Sequence, residues 1–246
     1  MIVMTQISII IPTFNSEGTV RKALDSVLGQ TFQNWECIVV DGVSKDNTLD
    51  IVEEFCQKDS RFRYVSERDY GIYDAFNKGW KMAKSEWIMY LGSDDYYFDK
   101  GLENLMSRAK DNVDIVYGDC ELRFKQSRRI RGNTPMSSIG YQLPACHQSM
   151  AMRRSLFEKL GGFDLKYKVY GDLDIIQRGY VAGAQFAETD AVISSFHVGG
   201  VSTDNLAATR ELYTILKTNG IVKYPRLKIL QMIFHTVLMK AYHLFK

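Results

Sequence analysis

Four short, largely apolar runs, each closed by a turn and followed by a helical pattern, constrain this chain more than any other feature. They are Ile7–Ile11, Cys37–Val40, Phe62–Val65 and Trp87–Leu91. Runs of this length and β-branched content fit strands buried on both faces, as in a parallel sheet. The segments between them carry helical periodicity. Ser16 can cap a helix over roughly Glu17–Leu28, with Val20, Ala23, Leu24, Val27 and Leu28 on one face. A second helix carries Leu49, Ile51, Val52 and Phe55, and a third runs from about Tyr73 to Ala83. Strand–helix alternation with short links predicts an α/β fold, a mostly parallel sheet with helices on both faces and right-handed crossovers.

The ends of these strands carry the chemistry. Trp87–Leu91 stops at Gly92-Ser93 and delivers Asp94 and Asp95. Open α/β sheets bind ligands outside the carboxyl ends of their strands. Two adjacent carboxylates repel each other unless a cation lies between them. Oxygen donors of this kind suit Mg²⁺ or Mn²⁺, with substrate phosphates completing the shell. The same pair can also be a solvated turn that caps the next helix. Pro12–Asn15 and Asp41 end two more strands at the same edge, which is the convergence a nucleotide pocket needs.

The second half is less regular. A helix near Leu102–Ala109 precedes a strand at Val113–Tyr117, and Glu121–Ile130 reads as a basic hairpin with Arg123, Lys125, Arg128, Arg129 and Arg131. His147–Met152 reads as a strand and Arg153–Leu160 as a short helix. Gly171-Asp172-Leu173-Asp174 opens another helix, Phe186–Phe196 holds the last strand, and the chain is helical from about Leu206.

Composition excludes little else. The 246 residues are 46% hydrophobic and 24% charged, with a net charge of +2, so nothing calls for a nucleic-acid partner. Cys37, Cys56, Cys120 and Cys146 show no zinc spacing and read as reduced cytosolic thiols. A strand begins almost at once, so no signal peptide is expected, and no uncharged run reaches the ~18 residues of a spanning helix. The absence of GxGxxG before a helix, of GxxxxGK[ST] and of GxSxG argues against a dinucleotide fold, a P-loop and a hydrolase elbow.

The stretch IIIPTFNSEGTVRKALDSVLGQTFQNWECIVVDGVSKDNT, followed by GIYDAFNKG and then LGSDD, resembles the inverting GT-A-fold glycosyltransferases of family two. The likeness covers roughly residues 5–200 and is nearest to bacterial enzymes of capsule, exopolysaccharide or O-antigen assembly. It implies a catalytic domain over 1–205, with a nucleotide-sugar half to about 105 and an acceptor half beyond, and a helical extension over 206–246. By the resemblance, Pro12, Thr13 and Phe14 line the nucleobase pocket with Glu17 close by. Asp41 bonds the base or ribose, and Asp69 with Asp74–Asn77 borders the nucleotide and sugar. Asp94 and Asp95 hold Mn²⁺ or Mg²⁺, with Asp95 the expected direct ligand. Asp172 is the implied catalytic base, with His147, Asp174 and Arg178 on the sugar or acceptor side. Two places depart from the family pattern: Gly42 and Gly92 stand where many relatives carry an acid.

The implied reaction is transfer from a nucleotide sugar, a UDP-sugar by preference, to a hydroxyl of a lipid-linked or growing glycan, with inversion. A cation neutralises the departing diphosphate. An ionised Asp at a helix start, favoured by the dipole, takes the acceptor proton. A sugar-nucleotide nucleotidyltransferase and a non-catalytic nucleotide- or glycan-binding module are the alternatives. Asp172 alone could be a simple N-cap and His147 a packed core residue. The Arg123–Arg131 cluster is either a solvated hairpin or a site for an anionic acceptor such as a lipid diphosphate.

The C-terminus adds a further expectation. No acid follows Glu211, whereas Lys217, Lys223, Arg226, Lys228, Lys240 and Lys246 are basic. From Arg226 on, Lys228, Gln231, His235, Lys240 and His243 share half a helical wheel, and Leu227, Leu230, Phe234, Val237, Leu238, Ala241 and Phe245 fill the other. This pattern fits a membrane-surface helix, and equally a helix packed on the domain or on a second subunit. The expected location is the cytoplasm, with peripheral contact at the inner membrane as an option. The oligomeric state is not legible.

Overall fold

The structure, a computed structural model, describes residues 6–199, 206–232 and 234. Strands β1 (Ile7–Thr13), β2 (Trp35–Asp41), β3 (Phe62–Ser66) and β4 (Trp87–Tyr90) lie in the order β3-β2-β1-β4, all parallel. Helices α1 (Val20–Leu28), α2 (Thr48–Lys58) and α3 (Ile72–Met82) form the crossovers. Alternate residues of the strands feed two cores, because side chains along a strand point to opposite faces. Ile9, Ile11, Cys37 and Val39 pack with α1 and α2, while Ile10, Ile38 and Val40 pack with α3.

The second half completes a nine-stranded sheet with β5 (Tyr96–Tyr97), β6 (Ile115–Arg123), β7 (Arg128–Arg131), β8 (Met150–Arg153) and β9 (Phe186–His197). Here the β4/β8, β6/β8, β6/β7 and β5/β9 pairs are antiparallel and only β6/β9 is parallel. The parallel character expected of the nucleotide-binding sheet belongs to the first half, β1 to β4. Helix α4 (Gly101–Met106) joins the α1–α2 face, and α5 (Arg154–Leu160) and α6 (Gly171–Val181) join the α3 face.

Several boundaries differ from the sequence expectation. The first helix starts at Val20, because Ser16 offers its carbonyl, not its hydroxyl, to the backbone N–H groups of Thr19 and Val20. The run expected as a strand from His147 begins as a 3-10 turn over His147–Ser149, and pairing starts only at Met150. The basic segment does fold back as a hairpin, with Arg123 opposite Arg128.

The stretch expected as a separate helical extension begins as part of the same body. Helix α7 (Leu206–Asn219) buries Leu212, Ile215 and Leu216, and Leu212 and Leu216 pack on Leu173 of α6. Glu211 accepts hydrogen bonds from the backbone N–H groups of Lys168, Val169 and Tyr170 at 2.8, 2.8 and 2.6 Å. That carboxylate fixes the loop leading into α6. Asn219 Nδ2 donates to Asp174 Oδ1 at 3.3 Å and to Gln177 Oε1 at 3.0 Å.

Asp174 and Arg178 belong to this brace. Arg178 Nε donates to Asp174 Oδ2 at 2.7 Å, and its two terminal nitrogens donate to the carbonyls of Leu160 and Gly162 at 2.8 and 2.7 Å. Asp174 is buried. Both were expected on the acceptor side, and the structure places their polar groups in the bonds that hold α5, α6 and α7 together. Asp174→Asn is therefore a stability variant. It should lose roughly 3 kcal/mol, the low end for a broken buried pair, because Arg178 keeps some solvent contact. For a domain of this size that corresponds to a Tm lower by about 6–12 °C. Calorimetry showing an unchanged Tm would refute the brace.

Candidate active site

The parallel strands β1, β2 and β4 end at one edge, and their turns are stitched together there. Ser16 Oγ and Ser93 Oγ lie 2.9 Å apart, and Ser16 N donates to Thr48 Oγ1 at 2.7 Å. Glu17 Oε2 accepts from the backbone and side-chain nitrogens of Asn47 at 3.0 and 2.8 Å, so Glu17 pins the loop after β2. Pro12 and Thr13 complete β1, and the Phe14 ring stands 62% exposed beyond it. Val43, at φ 65°, holds a left-handed conformation that a β-branched residue adopts only under strain.

Asp41 does not face the opening. It is fully buried and accepts four hydrogen bonds: from Thr13 Oγ1 (3.0 Å) and Ser44 Oγ (2.5 Å) on Oδ1, and from Ser44 N (3.0 Å) and Ser66 Oγ (2.7 Å) on Oδ2. A carboxylate has about four acceptor sites, so Asp41 is saturated. These bonds hold its pKa below the usual carboxylate value against the opposing effect of burial, the largest single influence. Asp41, expected at the base or ribose, is thus placed between Thr13, Ser44 and Ser66, where it ties the turn after β2 to β1 and β3. The carboxylate available there is that of Asp69. Its Oδ1 accepts from Gly71 N at 2.9 Å, and its Oδ2 lies 2.7 Å from where a side chain on Gly42 would begin.

Farther along α3, Asp74 accepts from Tyr70 N at 3.1 Å and pairs with Lys78 at 3.4 Å. Asn77 donates to Phe163 O (2.8 Å) and accepts from Phe163 N (2.9 Å) and Trp80 Nε1 (3.0 Å). Asn77, expected to border the nucleotide and sugar, is buried and clamps α3 to the loop after α5.

The acid pair lies beyond β4. Asp95 is 1% exposed, with Oδ1 accepting from His197 N at 2.7 Å and Oδ2 from Gln148 Nε2 at 3.1 Å. Arg123 approaches only to 3.8 Å. Burial, with Asp94 adding to it, pushes the Asp95 carboxyl up to about 7 against those donors. Asp94 faces solvent, and its Oδ2 lies 3.2 Å from His197 Nδ1. Gly92 sits beneath both acids; a side chain there would begin 2.6 Å from Asp95 Oδ2 and 3.1 Å from Asp94 Oδ1. Among the described residues no three His, Cys, Asp or Glu side chains form a ready metal cage. The donors nevertheless fit a hard divalent cation. Each Asp95 oxygen keeps a lone pair, Asp94 and His197 add oxygen and nitrogen, and the raised Asp95 pKa reports a buried charge short of positive compensation.

The 3-10 turn His147–Ser149 links this pair to the second acid. Gln148 bonds Asp95, while the His147 ring stacks on Tyr90 at 5.2 Å and touches Phe76 and Phe163 at 5.7 and 5.9 Å. Burial pushes the His147 pKa down to about 4, so the ring is neutral at pH 7. Phe163 in turn stacks on Tyr73 at 5.3 Å, and Tyr73 Oη lies 2.8 Å from Val169 O and 3.5 Å from Asp172 Oδ1. Asp172, at the start of α6, accepts from Leu173 N at 2.8 Å on the same oxygen. Its partners include no cation, and burial raises its carboxyl to about 6 despite these donors. A carboxylate poised near neutral pH can accept a proton.

His197, Gln148 and Glu211 were not singled out as site or support residues from sequence. His197 carried a usable signal, since it ends a strand before Gly199-Gly200 as Asp94 follows one. The other two act through distant pairings that no local pattern encodes.

Residues 8–161 match the family described as Glycosyl transferase family 2. The chain is 34% identical over 174 residues to the Mycobacterium bovis PGL/p-HBAD biosynthesis glycosyltransferase, covering 68% of this chain and 66% of that protein. It is 39% identical over 118 residues to the Escherichia coli UDP-Glc:alpha-D-GlcNAc-diphosphoundecaprenol beta-1,3-glucosyltransferase WfgD, covering 47% of this chain and 46% of that one. The chain thus spans just under two thirds of the first of these relatives and less than half of the second. Staphylococcus aureus TarS 1-349 in complex with UDP-GlcNAc shares the fold, with a TM-score of 0.72 and 20% identity over 88% of this chain and 66% of that one. So does Pyrobaculum calidifontis mannosyltransferase PcManGT with GDP-Man and Mn²⁺, at a TM-score of 0.66 and 20% identity over 87% and 62%. The GT-A fold expected from the sequence is the fold observed, and with the family match over most of its length the chain belongs to glycosyl transferase family 2.

Proposed function

We propose that this protein transfers a sugar from a nucleotide sugar, a UDP-sugar by preference, to a hydroxyl of a lipid-linked or growing glycan in cell-surface polysaccharide assembly. The transfer is a single displacement with inversion. The observation that carries this reading is the pairing of two acid sites across one turn. Asp94–Asp95 is a carboxylate pair short of positive charge, and Asp172, across His147–Gln148, is a carboxylate with no cation beside it. The relatives' printed substrates, UDP-glucose and a diphosphoundecaprenol-linked sugar for WfgD, support the donor and acceptor classes.

The roles follow from the geometry. Phe14 offers its exposed ring to the nucleobase, and Asp69 offers a carboxylate oxygen to a base N–H. Asp94, Asp95 and His197 would hold Mn²⁺ or Mg²⁺. That cation supplies charge neutralisation to the departing diphosphate. His147, neutral and caged by aromatic rings, lines the sugar side as an apolar wall and is a poor base at pH 7. Asp172 Oδ1 is taken up by Leu173 N, which leaves Oδ2 to accept the acceptor hydroxyl proton. The acceptor oxygen bonds to the anomeric carbon as the anomeric carbon–oxygen bond to the nucleoside diphosphate breaks. The catalytic unit on this reading spans residues 1–219, since α7 supports the loop before Asp172.

Among the described residues no helix is long and apolar enough to cross a membrane. After α7 the chain is again helical over 225–232. Ile229 and Met232 face the core beside Leu173, whereas Tyr224, Leu227, Leu230 and Phe234 are 59%, 64%, 61% and 67% exposed. Residues 235–246, with Val237, Leu238, Ala241, Phe245, His235, Lys240, His243 and Lys246, lie outside the described residues. An exposed apolar stripe flanked by Arg226 and Lys228 suits an anionic membrane surface.

Asp172→Asn keeps a side chain of nearly the same shape but removes proton acceptance, which typically supplies 10²–10⁴-fold. Transfer should fall at least about a hundredfold on that principle, with nucleotide-sugar affinity unchanged. In the wild type, transfer should decline as pH falls through about 6, where Asp172 protonates. A variant that keeps wild-type transfer places the base elsewhere, and a thermal-shift panel of nucleotide sugars with and without Mn²⁺ names the donor.

Asp95 gives a prediction of opposite sign. Its folded pKa of about 7 lies above the unfolded value, so the folded state holds the proton more tightly and metal-free stability falls as pH rises from about 4 through about 7. Asp95→Asn should flatten that decline and abolish Mn²⁺-dependent nucleotide binding. Calorimetry finding unchanged Mn²⁺-dependent affinity would remove Asp95 from the metal site.

Replacing Leu227, Leu230 and Phe234 by serine should cut binding to phosphatidylglycerol vesicles at low salt while the Tm stays within about 2 °C, since single exposed side chains contribute little to folding. Undiminished vesicle binding would assign this face to a protein contact.

A further inference from the structure

A row of basic side chains lies at the rim of the sheet, and two of them, Arg123 and Arg128, have no part in the reading above. Strands β7, β6 and β9 are neighbours, and their paired residues place Arg128 opposite Arg123 and Arg123 beside His197. Adjacent strands lie about 4.8 Å apart, so the row spans roughly 10 Å, the reach of a diphosphate. Two arginines directly opposite each other across a hairpin repel. Arg123 is partly relieved by Asp95 Oδ1 at 3.8 Å and by the Tyr96 ring at 4.9 Å, and Arg128 has less. Arg128 is 65% exposed and comes no nearer than 3.8 Å to a carboxylate, that of Glu121, which is already bonded by Ser195 and Tyr96. Arg123 Nη2 is spent on Asp94 O, and Arg123 Nε is buried without a hydrogen-bond partner. Lys22, which caps the Tyr96 ring at 3.6 Å, has its pKa lowered by burial and then by Arg123 and Arg128, a further sign of excess positive charge.

The hairpin closes one side of a cleft of about 690 Å³ lined by Arg123, Phe124, Lys125, Arg128 and His197, with no carboxylate among its lining residues. Phe124 and Ile130 are large apolar side chains exposed on the same hairpin, 38% and 50%. Cations that converge on a cleft beside exposed apolar groups match an anion that carries a hydrocarbon chain. A nucleotide needs no such flank, and its diphosphate belongs with Asp94 and Asp95.

We propose that the cleft between the β6–β7 hairpin and His197 binds the diphosphate of a prenyl-diphosphate-linked acceptor, with Lys125 and Arg128 on the phosphates and Phe124 and Ile130 along the first prenyl units. This rests on the glycosyl-transfer reading for its place in a reaction, but the binding itself does not. The acceptor is thereby held by its lipid-proximal end, and its sugar is directed inward past His197 toward the acid sites.

The test is calorimetry on the full chain with geranyl diphosphate in EDTA, which removes any metal-dependent donor site. One-to-one binding is expected, tighter than for inorganic pyrophosphate or geraniol. The Lys125→Gln/Arg128→Gln double variant should bind at least about tenfold more weakly, the loss of one charge-assisted contact or more. Its Tm should be no lower than that of the wild type, since a like-charge pair is relieved. Displacement of geranyl diphosphate by UDP would assign the cleft to the donor and overturn the proposal. So would equal affinity in the double variant. Binding to phosphatidylglycerol vesicles that depends on the hairpin, without binding of geranyl diphosphate, would make it a membrane contact and overturn it as well. If the transfer reading alone is wrong, geranyl diphosphate still binds while Asp172→Asn leaves any measured activity untouched.

Discussion

Strand β1 is the element on which the rest depends. Ile7, Ile9, Ile10 and Ile11 are fully buried, and the strand pairs with β2 on one side and β4 on the other. Each fully buried aliphatic side chain of this kind contributes about 1.5–3 kcal/mol. The consequence for function is positional. Because both neighbours run parallel to β1, their turns emerge at one edge, and Phe14, Ser44 and Asp94 cannot drift apart without breaking the best-packed part of the molecule. The hydroxyl contact between Ser16 and Ser93 and the Asp41 network extend that rigidity into the turns themselves. A preorganised edge is what differential binding of a transition state requires.

Burial of charge is then used unequally across the site. Asp41 is buried and fully bonded, so its carboxylate stays ionised and inert. Asp95 is buried and under-bonded, so its carboxyl is held near 7 and gains from a cation. Asp172 has donors on one oxygen only and no cation, which leaves it titrating near 6. Three carboxylates with the same intrinsic pKa thus acquire three states through hydrogen-bond count and solvent access. Environments that separate the behaviour of like groups are the means by which one fold assigns an acid, a base and a scaffold.

Much of this was legible in the chain. Periodicity placed the first four strands and α2 and α3 to within a few residues, because those segments are buried on both faces or along one stripe, and burial writes itself into composition. The acids Asp94 and Asp95 stood out as charged residues at the end of an apolar strand, and Asp172 through its match to the family pattern. What composition could not reveal was orientation and long-range pairing. Asp41, Asn77, Asp74 and Asp174 have the residue types of a site, yet three of them are buried and all point into hydrogen bonds that hold loops and helices. His197, Gln148 and Glu211 lie 102, 53 and 41–43 positions from the groups they bond. No local pattern contains such a contact. The second half was harder to read because its mixed strands pair with partners distant in sequence, and the antiparallel β8 begins only after a 3-10 turn.

The two departures from the family pattern make sense together. Gly42 lies where Asp69 Oδ2 closes in, and Gly92 where the carboxylates of Asp94 and Asp95 fold back. In each place an acid on the glycine position would set a third or second carboxylate within contact of an existing one, and like charges at that separation cannot all ionise. The missing acids are therefore not simply losses. At the first position, negative charge reaches the pocket from Asp69 at the far side of the loop, with Asp41 tied back by Ser44 and Ser66. At the second, the absent side chain lets Asp95 turn inward to the His197 backbone, and this draws the His197 ring to Asp94. A substitution at Gly42 or Gly92 therefore has to be judged with Asp69 or Asp95 and never alone.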